Sequence, residues 1–378
     1  MTSTKKDPVL VVLQLSGGND GLNTIVPYTN PLYRDNRPNV AIQEDQVLPI
    51  NDELGFNPNL APLKRLYDDG KVAIIQGVGY PNPNRSHFRS MDIWHTCEPD
   101  KIANDGWLGL TVRDLDPNQD NVLTCVNLGR GLPRALVAPG IPVASVGNLA
   151  TYGVLTTIEK ENQRTEALDI FSQMYSPATG RDAVLSYLSQ TGMDALTGAD
   201  ILATAPAQYS SSVEYSGSSV GQYMRNIAQV HCAGLGSRVL YTTAPYNSFD
   251  THATELSAHS KLWSDVSQTI SDFYDDLTEH NAGDNVMLLV FTEFGRRVHD
   301  NGSGTDHGSG GLAFVVGDTV KGGLYGEYPS LDADKLLDGD LQFNNDFRGL
   351  YATIVEDWLG LDSKPIVNGS FEKLAFVK

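Results

Sequence analysis

Three continuous apolar runs constrain this chain to fold around a sheet that is covered on both faces. The runs are VLVVLQL at 9–15, VAIIQGVG at 72–79 and VMLLVF at 286–291. None of them alternates between polar and apolar residues, as a strand with one solvated face would. Continuous runs of this kind are typical of parallel strands that lie between two layers of helices.

Amphipathic helices separate these runs along the chain. Leu60, Leu63 and Leu66 recur at helical spacing before the second run, and Gly70 ends that helix. This alternation of helix and strand predicts an α/β fold, a three-layer sandwich with a mainly parallel central sheet flanked by helices. No internal repeat or clear break divides the sequence, so we expect a single domain over residues 1–378 with loop insertions, including a Ser-rich surface loop at about 205–219.

Weaker patterns complete the predicted arrangement. ALVAPGIPVASV at 135–146 is interpreted as a strand, and GLAFVVGDTVKGGLYGEYP at 311–329 as a strand followed by a hairpin. Residues 158–191 are interpreted as two helices that break at Ser176 and Pro177.

The composition excludes several classes of protein. A net charge of −19 argues against nucleic acid as a partner, because binding phosphate backbones requires clustered Lys and Arg. An anionic ligand would need a local positive site, such as a metal ion or an arginine. The three cysteines show no CxxC spacing, which argues against a zinc ribbon or a thioredoxin-like site. No run of about 18 apolar residues predicts a transmembrane segment, and the oligomeric state is not predicted.

Reactive side chains follow three of the predicted strands, where ligands bind in open parallel sheets. The first place is SGGNDG at 16–21, which follows the first apolar run. Asn19 is a candidate substrate contact and Asp20 a candidate metal ligand, and the glycines would let the backbone approach a ligand closely. An ordinary tight turn remains the alternative interpretation.

The second place is FDTHATE at 249–255. Asp250 and His252 follow a predicted strand, and a carboxylate beside an imidazole suits a divalent metal ion. His259, further along the predicted helix, is interpreted as a core histidine.

The third place is TEFGRRVHDNGSGTDHGSGG at 292–311. Glu293, Asp306 and His307 are candidate metal ligands, and metal coordination would offset the entropy lost when a Gly-rich loop becomes ordered. Arg296 is a candidate catalytic residue that would stabilise an oxyanion. The alternative is an exposed polar loop without a function.

The nucleophile is predicted less directly. Ser86 begins a helix after the second apolar run, where backbone N–H groups favour an anion. Ser90 lies one turn further on, and the adjacent His87 is a candidate substrate contact. Helix capping by Ser86 is the competing explanation.

If these places converge, one pocket would collect six candidate ligands: Asp20, Asp250, His252, Glu293, Asp306 and His307. Carboxylates and imidazoles without thiolates suit zinc, manganese, magnesium or calcium. One or two divalent ions are compatible with this set, and two ions about 4 Å apart would clamp the oxygens of a phosphoryl or sulfuryl transfer.

An ordered set of motifs resembles a bacterial family called domain of unknown function 1501. The motifs are LVVLQLSGGNDGLNTIVPY, RSHFRSMDIWHT, FDTHATE, TEFGRRV, NGSGTDHGSGG, VKGGLYGEYPSL and NDFRGLYATIVEDWLG. That family is regarded as related to the alkaline phosphatase and sulfatase superfamily. The resemblance implies an alkaline-phosphatase-like fold and a metal-dependent hydrolase of phosphate or sulfate esters, acting on a small-molecule or polymer-linked anionic ester. It also implies Asp20 as the metal carboxylate of the first strand, Asp250 with His252 and Asp306 with His307 as later ligand pairs, and Ser86 as the nucleophile.

The chain departs from the superfamily pattern at the last ligand position, because no histidine follows His307. This departure motivates the alternative hypothesis, a non-catalytic binding protein on the same scaffold that acts at the cell envelope. Members of the family often carry an export leader, so the resemblance implies a periplasmic or extracellular location.

Overall fold

The computed structural model describes residues 6–149, 152, 160–174 and 183–378. The strands are β1 (Val9–Leu15), β2 (Ile25–Val26), β3 (Leu48–Pro49), β4 (Gly55–Phe56), β5 (Val72–Gly79), β6 (Cys125–Leu128), β7 (Ala144–Val146), β8 (Val239–Thr243), β9 (Val286–Thr292), β10 (Gly311–Val316), β11 (Gly323–Tyr325) and β12 (Asn345–Asp346). The α-helices are α1 (Pro31–Asn36), α2 (Ala61–Asp68), α3 (His87–Thr96), α4 (Trp107–Leu115), α5 (Glu161–Met174), α6 (Ala183–Leu202), α7 (Ser219–Cys232), α8 (Glu255–Glu279) and α9 (Phe347–Thr353), and a π-helical segment at Ile354–Trp358 continues α9.

A nine-stranded sheet forms the centre of the fold. Its order is β11-β5-β10-β9-β1-β8-β6-β7, and β12 pairs with β5 beside this path. Only β10 runs antiparallel to its neighbours, β5 and β9. The remaining pairs are parallel. The predicted mainly parallel sheet is therefore confirmed.

Helices cover the sheet on both faces, as the continuous apolar runs predict. In β1, Val11 and Leu13 belong to one hydrophobic core, whereas Leu10 and Val12 belong to another. The first core includes side chains from α2, α7 and α8, and the second includes side chains from α3, α4 and α9. The side chains of a strand point alternately to its two faces, so an apolar strand such as β1 is buried on both sides. The three-layer α/β class is confirmed.

Two of the weaker predictions were wrong. Residues 135–146 form a strand only at Ala144–Val146, because Arg134–Leu136 is a turn of 3-10 helix and the chain then turns at Gly140, whose φ is 75°. The hairpin after β10 does not form, because β11 instead pairs in parallel with β5. The predicted helix break at Ser176 and Pro177 lies outside the described residues.

The parallel strands bring the ends of several loops to one edge of the sheet. The strands β9, β1 and β8 are consecutive neighbours, and their carboxyl ends point the same way. The segments that carry Asp20, Asp250 and Glu293 therefore leave the sheet at this edge. Among the described residues, no helix combines the length and the apolar character needed to cross a membrane.

A matched pair of isoleucines tests the burial of α8 against the sheet. Ile270 on α8 is fully buried, whereas Ile170 on α5 is 54 % exposed. We expect Ile270→Ala to lower the free energy of unfolding by about 2–5 kcal/mol, because it removes buried methylene groups and leaves a cavity. Ile170→Ala should change it by less than about 1 kcal/mol. Urea unfolding measures both, and equal losses would contradict this packing of α8.

Candidate metal centre and adjoining cavity

His87 stands at the first position of α3 and points its ring at two carboxylates. Its Nδ1 lies 2.9 Å from Glu293 Oε1, and this hydrogen bond raises the pKa of His87 above its usual value. Its Nε2 lies 3.4 Å from Asp250 Oδ2. That nitrogen is buried and makes no hydrogen bond within the described part of the chain. A buried polar atom without a partner is uncommon in native proteins, and a water or an ion can satisfy it.

His252 and His307 are tied in the same way through their Nδ1 atoms. His307 Nδ1 lies 2.8 Å from the carbonyl oxygen of Arg85, and His252 Nδ1 lies 3.0 Å from Asp306 Oδ1. Both acceptors require a hydrogen on Nδ1, so the neutral rings carry lone pairs on Nε2. Burial lowers the pKa of His307, which favours its neutral form.

The free nitrogens of these rings converge on Asp250. His252 Nε2 and His307 Nε2 are 3.0 Å apart, and each lies 3.1 Å from Asp250 Oδ1. The ligand atoms of His87, Asp250 and His307 all lie within 4.8 Å of one another. Lone pairs and a carboxylate at this separation repel one another unless a proton or a metal cation lies between them. Ligating histidines typically donate their other N–H to a carboxylate or carbonyl, as all three do here. The residues present therefore fit a divalent metal ion.

Arg296 lies beneath this cluster rather than in the cavity. Its side chain is fully buried and donates to the carbonyl oxygens of Gly17, Gly18, Phe249 and Thr305 and to the carboxylate of Asp250. Burial alone would raise the pKa of Asp250, but the hydrogen bond and charge of Arg296 outweigh burial and lower it. Arg296 thus keeps Asp250 ionised and positions it, and its own donors are occupied by protein oxygens.

Asp20 lies in a separate buried cluster and does not join the histidines. Its carboxylate pairs with the guanidinium of Arg37, and both side chains are buried. Burial would raise the pKa of Asp20, but Arg37 outweighs it and lowers that pKa. Burial and the neighbouring Asp20 raise the pKa of Glu255 to about 9, so Glu255 is protonated at neutral pH.

Asn19, the candidate substrate contact, is also committed to the protein interior. Its Oδ1 accepts hydrogen bonds from Trp263 Nε1 at 2.8 Å and from His259 Nε2 at 3.0 Å. His259 is buried, as the interpretation of a core histidine predicts. This part of the first loop therefore anchors α8 to the sheet.

Glu293 and Asp306 lie behind the histidines. Glu293 Oε1 accepts from His87 and from the backbone N–H of Gly17 at 2.9 Å, and it is buried. Asp306 is mostly exposed, and the hydrogen bond from His252 lowers its pKa. Both carboxylates thus fix ring orientations, which is the usual role of a carboxylate that supports a metal-binding histidine.

Ser86 and Ser90 differ in their availability. Ser90 is buried, and its hydroxyl bonds to Tyr80 and to the carbonyl oxygen of Glu293. Ser86 is exposed at the N-cap of α3, and its side chain makes no capping hydrogen bond. The capping explanation therefore does not account for Ser86.

A large open cavity of about 910 Å³ adjoins the cluster. Ser86, His87 and Glu293 line one end of it, and Arg130 and Tyr246 contribute to its other walls. The sequence analysis missed these last two residues. They follow β6 and β8, so the rule of inspecting residues just beyond parallel strands applies to them as well.

The chain belongs to a family described as protein of unknown function (DUF1501), whose model matches residues 159–368, more than half of the sequence. The family resemblance is thereby confirmed. None of the curated protein sequences matches the chain.

Three solved structures illustrate what the chain is similar to at low sequence identity. The phosphonate monoester hydrolase SpPMH from Silicibacter pomeroyi is 12 % identical with a TM-score of 0.41, and the match covers 97 % of this chain and 76 % of that one. The lipoteichoic acid synthase LtaP from Listeria monocytogenes is 9 % identical with a TM-score of 0.41, covering 96 % and 74 %. A protein in the alkaline phosphatase superfamily from Vibrio parahaemolyticus is 9 % identical with a TM-score of 0.37, covering 96 % and 69 %. Likenesses at this level transfer no activity to this chain.

Two adjacent arginines test the positioning role of Arg296. Arg296→Lys removes most of the donors that satisfy buried carbonyls, so we expect the free energy of unfolding to fall by about 3–5 kcal/mol. The control is Arg297→Lys, because the Arg297 side chain is 36 % exposed and its loss should cost less than about 1 kcal/mol. Chemical denaturation measures the free energy of unfolding of both variants. Equal losses would contradict the positioning role of Arg296.

Proposed function

We propose that this protein is a metal-dependent hydrolase of phosphate or sulfate esters, with one divalent ion held by His87, Asp250, His252 and His307. One observation carries the proposal. Three imidazole nitrogens converge on one carboxylate at the rim of a cavity large enough for an organic ester.

The donor set favours zinc or manganese over magnesium or calcium. Three imidazoles and one carboxylate suit a borderline ion, whereas magnesium and calcium prefer oxygen ligands. When bound, a divalent ion at this position supplies Lewis-acid chemistry to an ester oxygen. The chain supplies the orientation, through Glu293, Asp306 and the carbonyl oxygen of Arg85.

Ser86 is the proposed nucleophile. The residues on either side of it are held at the cluster, since Arg85 accepts a hydrogen bond from His307 and His87 contacts Glu293. Ser86 itself lines the cavity and is free of the capping role. The backbone N–H groups at the start of α3 would stabilise an anionic ester group beside it.

The second candidate function is a non-catalytic binding protein that holds an anionic ligand in the same cavity. It is favoured by the commitment of Arg296, the expected oxyanion stabiliser, to protein oxygens. Either function would act on an anionic small molecule or a polymer-linked ester, and the family resemblance supports a periplasmic or extracellular site of action.

The metal content of the purified protein tests whether the histidine cluster binds a metal ion. Purified protein loaded with zinc or manganese should retain about one equivalent after dialysis, as measured by elemental analysis. His307→Ala should lower the affinity for the ion at least tenfold, because one ligand is lost. His299→Ala is the matched control, since His299 is exposed and lies outside the cluster. Equal retention by both variants would count against the metal site.

Turnover separates the two candidate functions. Metal-loaded protein should release nitrophenol from nitrophenyl phosphate or nitrophenyl sulfate. Ser86→Ala should reduce kcat at least a hundredfold while metal content and thermal stability stay unchanged, because the exposed hydroxyl makes no structural bond. Absence of turnover with any divalent ion would favour the binding protein, and full activity of Ser86→Ala would exclude Ser86 as the nucleophile.

A further inference from the structure

We propose that the substrate is an amphiphilic anionic ester, in which the anionic head is joined to a large apolar group, rather than a compact hydrophilic ester such as a sugar phosphate. This inference rests on the proposed function and names the substrate class of the same site. It comes from the walls of the cavity beyond the metal-binding residues.

The cavity collects the most exposed apolar side chains of the protein. Phe88 is 79 % exposed, Ile102 77 % and Tyr246 72 %, and no other large hydrophobic residue in the described ranges is as exposed. All three line this one cavity, although they come from separate segments of the chain. Single exposed hydrophobic residues need no explanation, but a cluster around a ligand site indicates an apolar ligand.

The position of Phe88 indicates where the apolar group of the ligand would lie. Phe88 follows His87 in α3, so the apolar wall begins directly beside the proposed metal ligands. An anionic head at the metal and at Ser86 would therefore place its organic group along Phe88. A cavity of about 910 Å³ lies near the upper end of the usual range for small-molecule sites, and a compact ester would fill only part of it.

The charge of the cavity wall also favours an anion. Arg89, Arg130 and Arg134 line the cavity, in a protein whose net charge is −19. Arg89 and Arg134 share one carboxylate, that of Asp92, at 2.7 and 2.6 Å. Arg130 is exposed and has no hydrogen bond or ion pair with any described residue. The wall therefore carries uncompensated positive charge next to apolar surface.

Chain-length dependence of binding tests the inference without requiring turnover. Butyl, hexyl and octyl phosphate are titrated into metal-loaded protein by calorimetry, below their critical micelle concentrations. We expect the dissociation constant to fall about three- to fourfold for each added methylene, the gain for a fully buried methylene group. Phe88→Ala and Tyr246→Ala should flatten this dependence, and Ile170→Ala, which changes an exposed residue outside the cavity, should preserve it.

A charge comparison completes the test. Octyl glucoside, which has the same tail without the anion, should bind at least tenfold more weakly than octyl phosphate. Arg130→Gln should reduce this difference and leave the chain-length dependence intact. An affinity that is independent of chain length overturns the inference, as does equal binding of the neutral ligand.

Phosphate release from octyl phosphate is measured in the same samples. This measurement distinguishes a failure of the proposed substrate class from a failure of the proposed hydrolase activity. Release of phosphate with a flat chain-length dependence would overturn the substrate class and leave the hydrolase intact. A steep dependence without release of phosphate from octyl phosphate, or of sulfate from octyl sulfate, would overturn the hydrolase and leave the amphiphile site as that of a binding protein.

Discussion

The buried guanidinium of Arg296 is the interaction on which the geometry of this centre depends. It joins three segments that are distant in sequence: the loop after β1 through Gly17 and Gly18, the loop after β8 through Phe249 and Asp250, and the loop of His307 through Thr305. A buried arginine is stabilising only when its donors are satisfied, so these loops cannot move apart without exposing an unpaired charge. The planar fork of the guanidinium therefore fixes where Asp250 lies relative to the histidines.

A second layer of contacts sets the chemistry of the histidines themselves. The three Nδ1 atoms have different hydrogen-bond partners. The partner is a buried carboxylate for His87, an exposed carboxylate for His252 and a backbone carbonyl for His307. With all three Nδ1 atoms acting as donors, each Nε2 is the atom that offers a lone pair to a metal ion when the ring is neutral. Protein contacts thus offset part of the entropy lost when the Gly-rich loop becomes ordered.

The sequence predicted the edge of the sheet at which chemistry gathers, and it could do so because parallel strands share a direction. Ligands bind beyond the carboxyl ends of parallel strands, and this rule correctly predicted that Asp250, His252 and His307 are neighbours. The ligand roles assigned to them stay proposals. The same rule could not predict the position of Asp20. Asp20 pairs with Arg37, which lies in a segment without a clear hydrophobic periodicity. Which charges pair in a folded core depends on tertiary contacts that periodicity does not encode. The same limit applies to Arg296. The sequence does not distinguish an arginine that binds buried protein oxygens from one that is free to stabilise an oxyanion.

The separate cluster around Asp20 nevertheless contacts the loop that carries His307. Glu255, which its buried surroundings keep protonated, accepts a hydrogen bond from Thr305 Oγ1 at 2.6 Å, and the carbonyl oxygen of Thr305 accepts from Arg296 Nη1 at 2.9 Å. Thr305 lies two residues before His307, so one residue connects the interior network to the loop that carries a proposed ligand. The carboxylate after β1 therefore contributes to the site by fixing the loop beside it. Its buried pairing with Arg37 makes that support rigid, because separating the two would leave charges without solvent or partner.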